Sequence, residues 1–202
     1  MTCKDRPTIG LMGGPGSGKS LVARQMAAMG CVVIDSDALA KEMLEEEDIK
    51  QQIALWWGGG VLRPDGQVDR SKVARIVFAD PSELKRLEAL IHPRVHARRE
   101  VLKHQALVDP ETKAIVEDCP LLLESGIDSQ CDALVLVEAS FQTRLKRVQK
   151  TRGWGAQELG LRDKSQTPLD IKQQRADYVI SNDADEAHCL EQTRRVLSQI
   201  IP

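Results

Sequence analysis

The run Gly13-Gly14-Pro15-Gly16-Ser17-Gly18-Lys19-Ser20 sets two glycines, a lysine and a hydroxyl at the spacing G-x-x-x-x-G-K-S. That pattern binds phosphate. Glycines let several backbone N–H groups converge on phosphate oxygens without Cβ obstruction, and a helix starting at the loop's end adds the positive end of its dipole. Lys19 then reaches the β- and γ-phosphates, and the Ser20 hydroxyl is a ligand for Mg2+. These residues predict ATP with magnesium as the bound pair and phosphoryl transfer as the chemistry.

Other groups of suitable type stand further along. Asp35-Ser36-Asp37 follows the apolar run Cys31-Val32-Val33-Ile34. At a strand's C-terminal end, a carboxylate can face a γ-phosphate and accept a proton from an attacking hydroxyl. Both aspartates serve equally as helix caps. Glu117-Asp118 invites two readings as well, a water-mediated magnesium site or ordinary strand-end acids. His92 and His96, four apart, could share a helix face, but no carboxylate ligand completes a zinc pattern; Pro93 beside His92 suggests either a histidine presented at a cleft or plain helix punctuation. Arg144, Lys146, Arg147, Lys150 and Arg152 form a basic helical run. It is a solvated face, or a cationic strip beside a nucleotide.

The elements that must position these groups are readable. Thr8–Met12 is an apolar run ending in the glycine loop, a buried strand. A helix is expected over 18–29, terminated at Gly30, then a strand at 31–34 and a helix carrying Leu39, Met43 and Leu44. Between about 48 and 106 the texture is mainly helical, with breaks at Gly58-Gly59-Gly60 and a turn at Arg63-Pro64-Asp65-Gly66. Asp80-Pro81-Ser82-Glu83 reads as a helix start, and Pro93 is expected to kink or interrupt the helix that follows. Strands return at 114–116, 133–137 and 178–180, with helices near 141–151 and 185–200. This alternation predicts an α/β fold: a five-stranded parallel sheet flanked by helices, with a helical insertion.

Length, charge and composition bound the function. At 202 residues the chain fits one domain with an insertion. A net charge of -2 argues against a general nucleic-acid coat, and the 3% aromatic content leaves little for base stacking. No apolar run approaches the roughly 20 residues that cross a bilayer, and Met1–Pro7 lacks the apolar stretch of a secretory signal. The five cysteines, at 3, 31, 119, 131 and 189, are odd in number and include no C-x-x-C. Reduced thiols in a cytoplasmic protein are expected. No membrane or protein partner is implied.

Several motifs, taken in order, resemble the dephospho-CoA kinase family: the phosphate loop; Val33-Ile34-Asp35-Ser36-Asp37; Asp69-Arg70 through Val77-Phe78; Leu90-Ile91-His92-Pro93; Pro120-Leu121-Leu122-Leu123-Glu124; and Ala176-Asp177-Tyr178-Val179-Ile180-Ser181-Asn182. Together they span residues 9–182. The phosphate loop alone is shared with many proteins, whereas P-L-L-x-E and H-P in register with it are specific. The resemblance implies ATP-dependent phosphorylation of the 3′-hydroxyl of dephospho-coenzyme A, on a P-loop kinase core with a helical substrate-binding insertion and a mobile lid near 150–170. Under it, Gly14, Pro15, Gly16, Ser17, Gly18, Lys19, Ser20, Leu21 and Arg147 bind ATP. Asp37 is the base, with Lys19 and Arg147 also catalytic. Arg70, His92, Pro120, Leu121 and Glu124 line the side of the small-molecule substrate. Leu21 stands where the family usually has threonine, Arg144 where glutamine is common, and Arg162-Asp163-Lys164-Ser165-Gln166 replaces R-I-x-x-Q. The spacing from Arg147 to Arg152 is one residue longer than usual, and Pro168 suggests altered helix ends. Rival readings are a kinase acting on a nucleoside monophosphate or small alcohol, and a regulatory module using ATP as a switch. No N-K-x-D motif supports a GTPase.

Overall fold

The computed structural model describes residues 6–201, so Cys3 and most of the Met1–Pro7 segment read above lie outside the described residues. By contact the chain divides into two units, one of residues 1–35 and 103–202, the other Ser36–Leu102.

The first unit holds a parallel sheet of β1 (Thr8–Met12), β2 (Cys31–Asp35), β3 (Ala114–Asp118), β4 (Ala133–Glu138) and β5 (Tyr178–Ser181), in spatial order β2-β3-β1-β4-β5. All five predicted strands are present. Parallel strands need crossover connections, and here helices supply them on both faces. Ile9, Leu11, Val135 and Val137 turn to one face, where they pack with Val22 and Met26 of α1 (Lys19–Ala28). Cys189, Val196 and Leu197 of α9 (Glu186–Ile200) complete that layer. Met12, Leu134 and Leu136 turn the other way, onto Leu122 and Ile127. This period-two alternation buries both faces, which is why the strands read as continuous apolar runs. Also in this unit are α6 (Phe141–Arg152), α7 (Ala156–Lys164) and α8 (Leu169–Arg175). Because β1 is central and the chain passes to opposite sides of it, the strand order reverses there. Such a switch point opens a crevice at the strands' C-terminal ends.

The second unit comprises α2 (Ser36–Met43), α3 (Glu47–Trp57), α4 (Arg70–Ala79) and the larger part of α5 (Pro81–Val108). Its own core contains Met43, Ile49, Ile53, Val73, Val77, Leu87 and Ile91. The unit begins earlier than the expected 48 because Ala40, Met43 and Leu44 belong to that cluster. Gly66 N–H closes the expected turn on the Arg63 carbonyl at 2.9 Å. Asp80 starts α5 as its sequence suggests, Oδ1 accepting from the Ser82 N–H at 2.8 Å and from its hydroxyl at 2.7 Å.

Of the two outcomes expected at Pro93, interruption does not occur: the proline lies inside α5. An interior proline costs about 3 kcal/mol through the lost bond and the ring clash. Leu87, buried nearly two turns before it, Ile91, buried two residues before it, and Val95 just beyond it fasten the helix to the second core on both sides and offset that cost.

Candidate active site

The loop between β1 and α1 is shaped by two glycines with different constraints. Gly18 has φ +98°, and a Cβ there would stand 1.9 Å from Asn182 Nδ2. At Gly13 the limit is space alone: a Cβ would lie 2.6 Å from Ser17 Oγ and 2.7 Å from the Val137 carbonyl oxygen. Larger residues at either position would reshape the loop. Within it the Ser17 N–H bonds the Gly14 carbonyl at 3.1 Å. The N–H groups of Gly16, Gly18, Lys19 and Ser20 donate to no protein acceptor among the described residues. Four free donors at the start of a ten-residue helix, on a loop that side chains cannot fill, suit an anion with several oxygens.

The loop is braced from outside. Asn182, just past β5 and 2% exposed, donates from Nδ2 to the Ser17 carbonyl at 2.8 Å. Arg147 on α6 donates to the Asn182 carbonyl at 2.8 Å and stands 3.3–3.4 Å from the carbonyl oxygens of Ser17 and Gly16. Arg144, one turn earlier, makes a two-pronged ion pair with Asp163 of α7, at 2.7 and 2.8 Å. That pair sits against the loop, since a Cβ on Gly14 would be 3.0 Å from Arg144 Nη1 and 3.3 Å from Asp163 Oδ1.

Lys19 Nζ is ion-paired with Asp118 at the end of β3. Asp118 pairs in register with Asp35, the last residue of β2. Ser20 is exposed at the helix start, and the Leu21 side chain packs against the sheet core while its N–H is taken up by the Gly18 carbonyl at 2.8 Å. Pro120, Leu121 and Glu124 lie in the turn after β3. Glu124 faces the segment between α7 and α8: Oε1 accepts from the Thr167 N–H at 2.5 Å and its hydroxyl at 2.8 Å. Burial pushes the Glu124 carboxyl up, but the Thr167 donors outweigh it and leave the group below the usual carboxylate range. A cavity of about 370 Å³ opens beside the loop, lined among others by Gly14, Ser17, Glu138, Arg144, Asp163 and Lys172. It falls within the size range of small-ligand sites, roughly 300–1,000 Å³.

Asp37, Arg70 and His92 belong to the second unit. Asp37 is in the first turn of α2, two residues past β2, and exposed. Arg70 opens α4 with Nη2 3.7 Å from Glu45 Oε1, and His92 is exposed on α5. The units therefore split the expected site residues: the phosphate loop, Arg147 and the 120–124 turn in one, these three in the other.

Among the described residues no cluster of three or more His, Cys, Asp or Glu side chains could hold a metal ion, which leaves the His92/His96 zinc reading without support. Ser20 and Asp118 are hard oxygen donors, one or two to a site. That set fits Mg2+, which keeps its waters and shares phosphate oxygens instead of entering an all-protein cage.

Asn182, Asp163, Thr167 and Lys172 were not foreseen as site residues. Asn182 ended a recognised motif, a signal that a polar side chain was needed there. Asp163 and Arg144 were visible only as separate departures from the family pattern, and nothing in the sequence of α8 distinguishes Lys172 from a solvated lysine.

The family model described as Dephospho-CoA kinase matches residues 7–188. The curated "Dephospho-CoA kinase" of Geobacillus kaustophilus is 39% identical over 96% of this chain and 94% of its own length. That of Thermobifida fusca is 39% identical over 88% of each. Among solved structures, TT1252 from Thermus thermophilus matches with a TM-score of 0.82 at 31% identity, covering 98% of this chain and 100% of its own. A shikimate kinase from Acinetobacter baumannii, with a TM-score of 0.56 at 14% identity over 96% and 93% of the two chains, shares the fold.

Proposed function

Since the chain belongs to the dephospho-CoA kinase family, we propose that it uses ATP to phosphorylate the 3′-hydroxyl of dephospho-coenzyme A, yielding coenzyme A. The observation that carries the reading is the phosphate loop with its four undonated N–H groups, set at the C-terminal end of the central strand. In the reaction the acceptor oxygen forms a bond to the γ-phosphorus. The bond from that phosphorus to the β,γ-bridging oxygen breaks, and ADP leaves with the electron pair.

We assign the roles as follows. The loop from Gly14 to Leu21 holds the triphosphate, its N–H groups and Lys19 offsetting the charge on the terminal phosphates. Arg147 braces the loop's carbonyls and adds positive charge beside it. Ser20, with Asp118, would hold Mg2+, which would supply positive charge against the phosphates. Asp37 accepts the proton of the acceptor hydroxyl. Arg70, His92 and the Pro120–Glu124 turn hold dephospho-coenzyme A. A reducing compartment, the cytoplasm, suits the free thiols Cys31, Cys119, Cys131 and Cys189. No helix among the described residues is long and apolar enough to cross a membrane.

A coupled assay for ADP tests the reading. Dephospho-coenzyme A should stimulate ATP consumption far more than AMP, UMP or shikimate, because a pocket built around one acceptor leaves polar groups unpaired with another. Equal or faster phosphorylation of a nucleoside monophosphate would move the chain to another kinase class.

A further inference from the structure

Lys172 is buried where a lysine on a short helix should be wet. It sits on the seven-residue α8 and is only 5% exposed. Such a residue usually lays its stem along the surface and leaves the ammonium in water. Taking that ammonium out of water costs several kcal/mol unless a partner compensates. Its hydrogen-bond partner is a neutral one, Gln166 Oε1 at 2.9 Å. Among the described residues no carboxylate lies within ion-pair distance of Nζ. Burial accordingly holds the Lys172 pKa below the usual lysine value; Glu124 and Asp163 pull it back up from further away, while Lys19 and Arg144 push it down.

The setting explains why a charge is kept there. Lys172 lines the cavity beside the phosphate loop, together with Gly14, Ser17 and Arg144. The Ser17 hydroxyl on the same cavity is buried and makes no hydrogen bond. Lys19 and Arg144 are each near enough to act on the Lys172 ammonium as like charges. A cationic cavity with an under-paired ammonium, an unused hydroxyl and free N–H groups complements a polyanion.

We propose that Lys172 is a direct ligand of the β- and γ-phosphates of ATP, a second ammonium acting beside Lys19. This rests on the reading of the chain as an ATP-dependent kinase and adds a residue to its nucleotide site. The competing role is structural: Lys172 would only hold Gln166 and the turn before α8.

Binding of Mg-ATP and of AMP to Lys172→Met, measured by calorimetry, separates the two. A phosphate ligand loses ATP affinity by about tenfold or more while AMP affinity stays within about twofold, because AMP lacks the β- and γ-phosphates. Equal losses for both nucleotides, or no loss, would overturn the proposal. Gln166→Ala breaks the hydrogen bond and leaves the ammonium, and should bind ATP within about twofold of the unaltered chain. If it matches the loss in Lys172→Met, Lys172 acts through Gln166 and the proposal fails. Should Lys172→Met not fold, Lys172→Gln gives the same comparison with a polar side chain. The acceptor assignment is judged apart from this, by turnover of the unaltered chain with dephospho-coenzyme A. Absent turnover with a selective ATP loss in Lys172→Met removes the acceptor and keeps the ligand; normal turnover with unchanged ATP affinity removes the ligand alone.

Discussion

Asp37 is the residue on which the proposed chemistry turns, and its environment decides what its substitution should do. It is exposed at the start of α2 and follows β2 by two residues. A ribose hydroxyl is a weak nucleophile, and a positioned carboxylate that takes its proton contributes typically 10²–10⁴-fold. Asp37→Asn keeps the shape and one accepting oxygen and removes the charge. It should lower kcat by about two orders of magnitude and leave ATP binding nearly unchanged; Asp35→Asn should do less. Steady-state kinetics with calorimetry checks this. A variant that loses Mg-ATP affinity and keeps kcat at saturation would make Asp37 a residue of the metal shell. At this scale the sequence was informative where a motif dictates chemistry, as at Lys19 and Ser20. It was silent where a contact arises from folding. Glu124 was expected beside the substrate, and its carboxylate is engaged by Thr167. Only the folded chain brings residues 43 apart into that bond.

The elements were more legible than the contacts. The inner strands β3, β1 and β4 were visible because a sheet covered on both faces leaves unbroken apolar runs, and a helix start was visible through capping chemistry at Asp80. Interruption at Pro93 does not occur because propensity is local, whereas the packing of Leu87 and Ile91 is not. Two predictions belong here. Cys31 opens β2 and is 6% exposed, and burial pushes its thiol up to about 11. A raised thiol pKa means the folded state holds its proton after the unfolded state has lost it. The stabilisation is therefore complete below the unfolded pKa of 9.0 and is lost as pH rises from there through about 11. Urea titrations at pH 8 and pH 11 should show a loss on the order of 2 kcal/mol from this group; in Cys31→Ala that part of the slope should vanish, and an unchanged slope would exclude it. The second prediction concerns 153–168. Leu159 anchors α7 with no exposure, and the ion pair to Arg144 and the Thr167–Glu124 bonds tie the segment to the sheet-bearing unit. If this segment closes over nucleotide as a lid, amide exchange over 156–168 should slow with an ATP analogue and dephospho-coenzyme A bound. Unchanged protection would mean a fixed wall.

For the whole molecule, the division into two contact units shapes how nucleotide binding is felt. Each unit has its own apolar cluster, and the phosphate loop lies entirely in the unit that carries the sheet. The sequence suggested an insertion from its helical texture but put the start at 48, because a boundary falling between a strand and the next helix leaves no mark in composition. ATP that binds the folded sheet-bearing unit and not the unfolded chain stabilises that unit by mass action, about 2.7 kcal/mol at a hundred times Kd. For a chain of this size that corresponds to roughly 5–10 °C in Tm. Scanning calorimetry should therefore show the transition of the sheet-bearing unit rising by about that much with saturating Mg-ATP. Any separate transition of Ser36–Leu102 moves only as far as the two units are coupled. Lys19→Ala removes the ammonium at the β- and γ-phosphates and should lose most of the shift, measured from the variant's own ligand-free Tm, which falls because Asp118 loses its partner. Asp37→Asn should keep the full shift while turnover falls, since it acts on the acceptor and not on ATP. A full shift in Lys19→Ala would mean that ATP is held somewhere other than the loop between β1 and α1, and the assignment of that loop would fall with it.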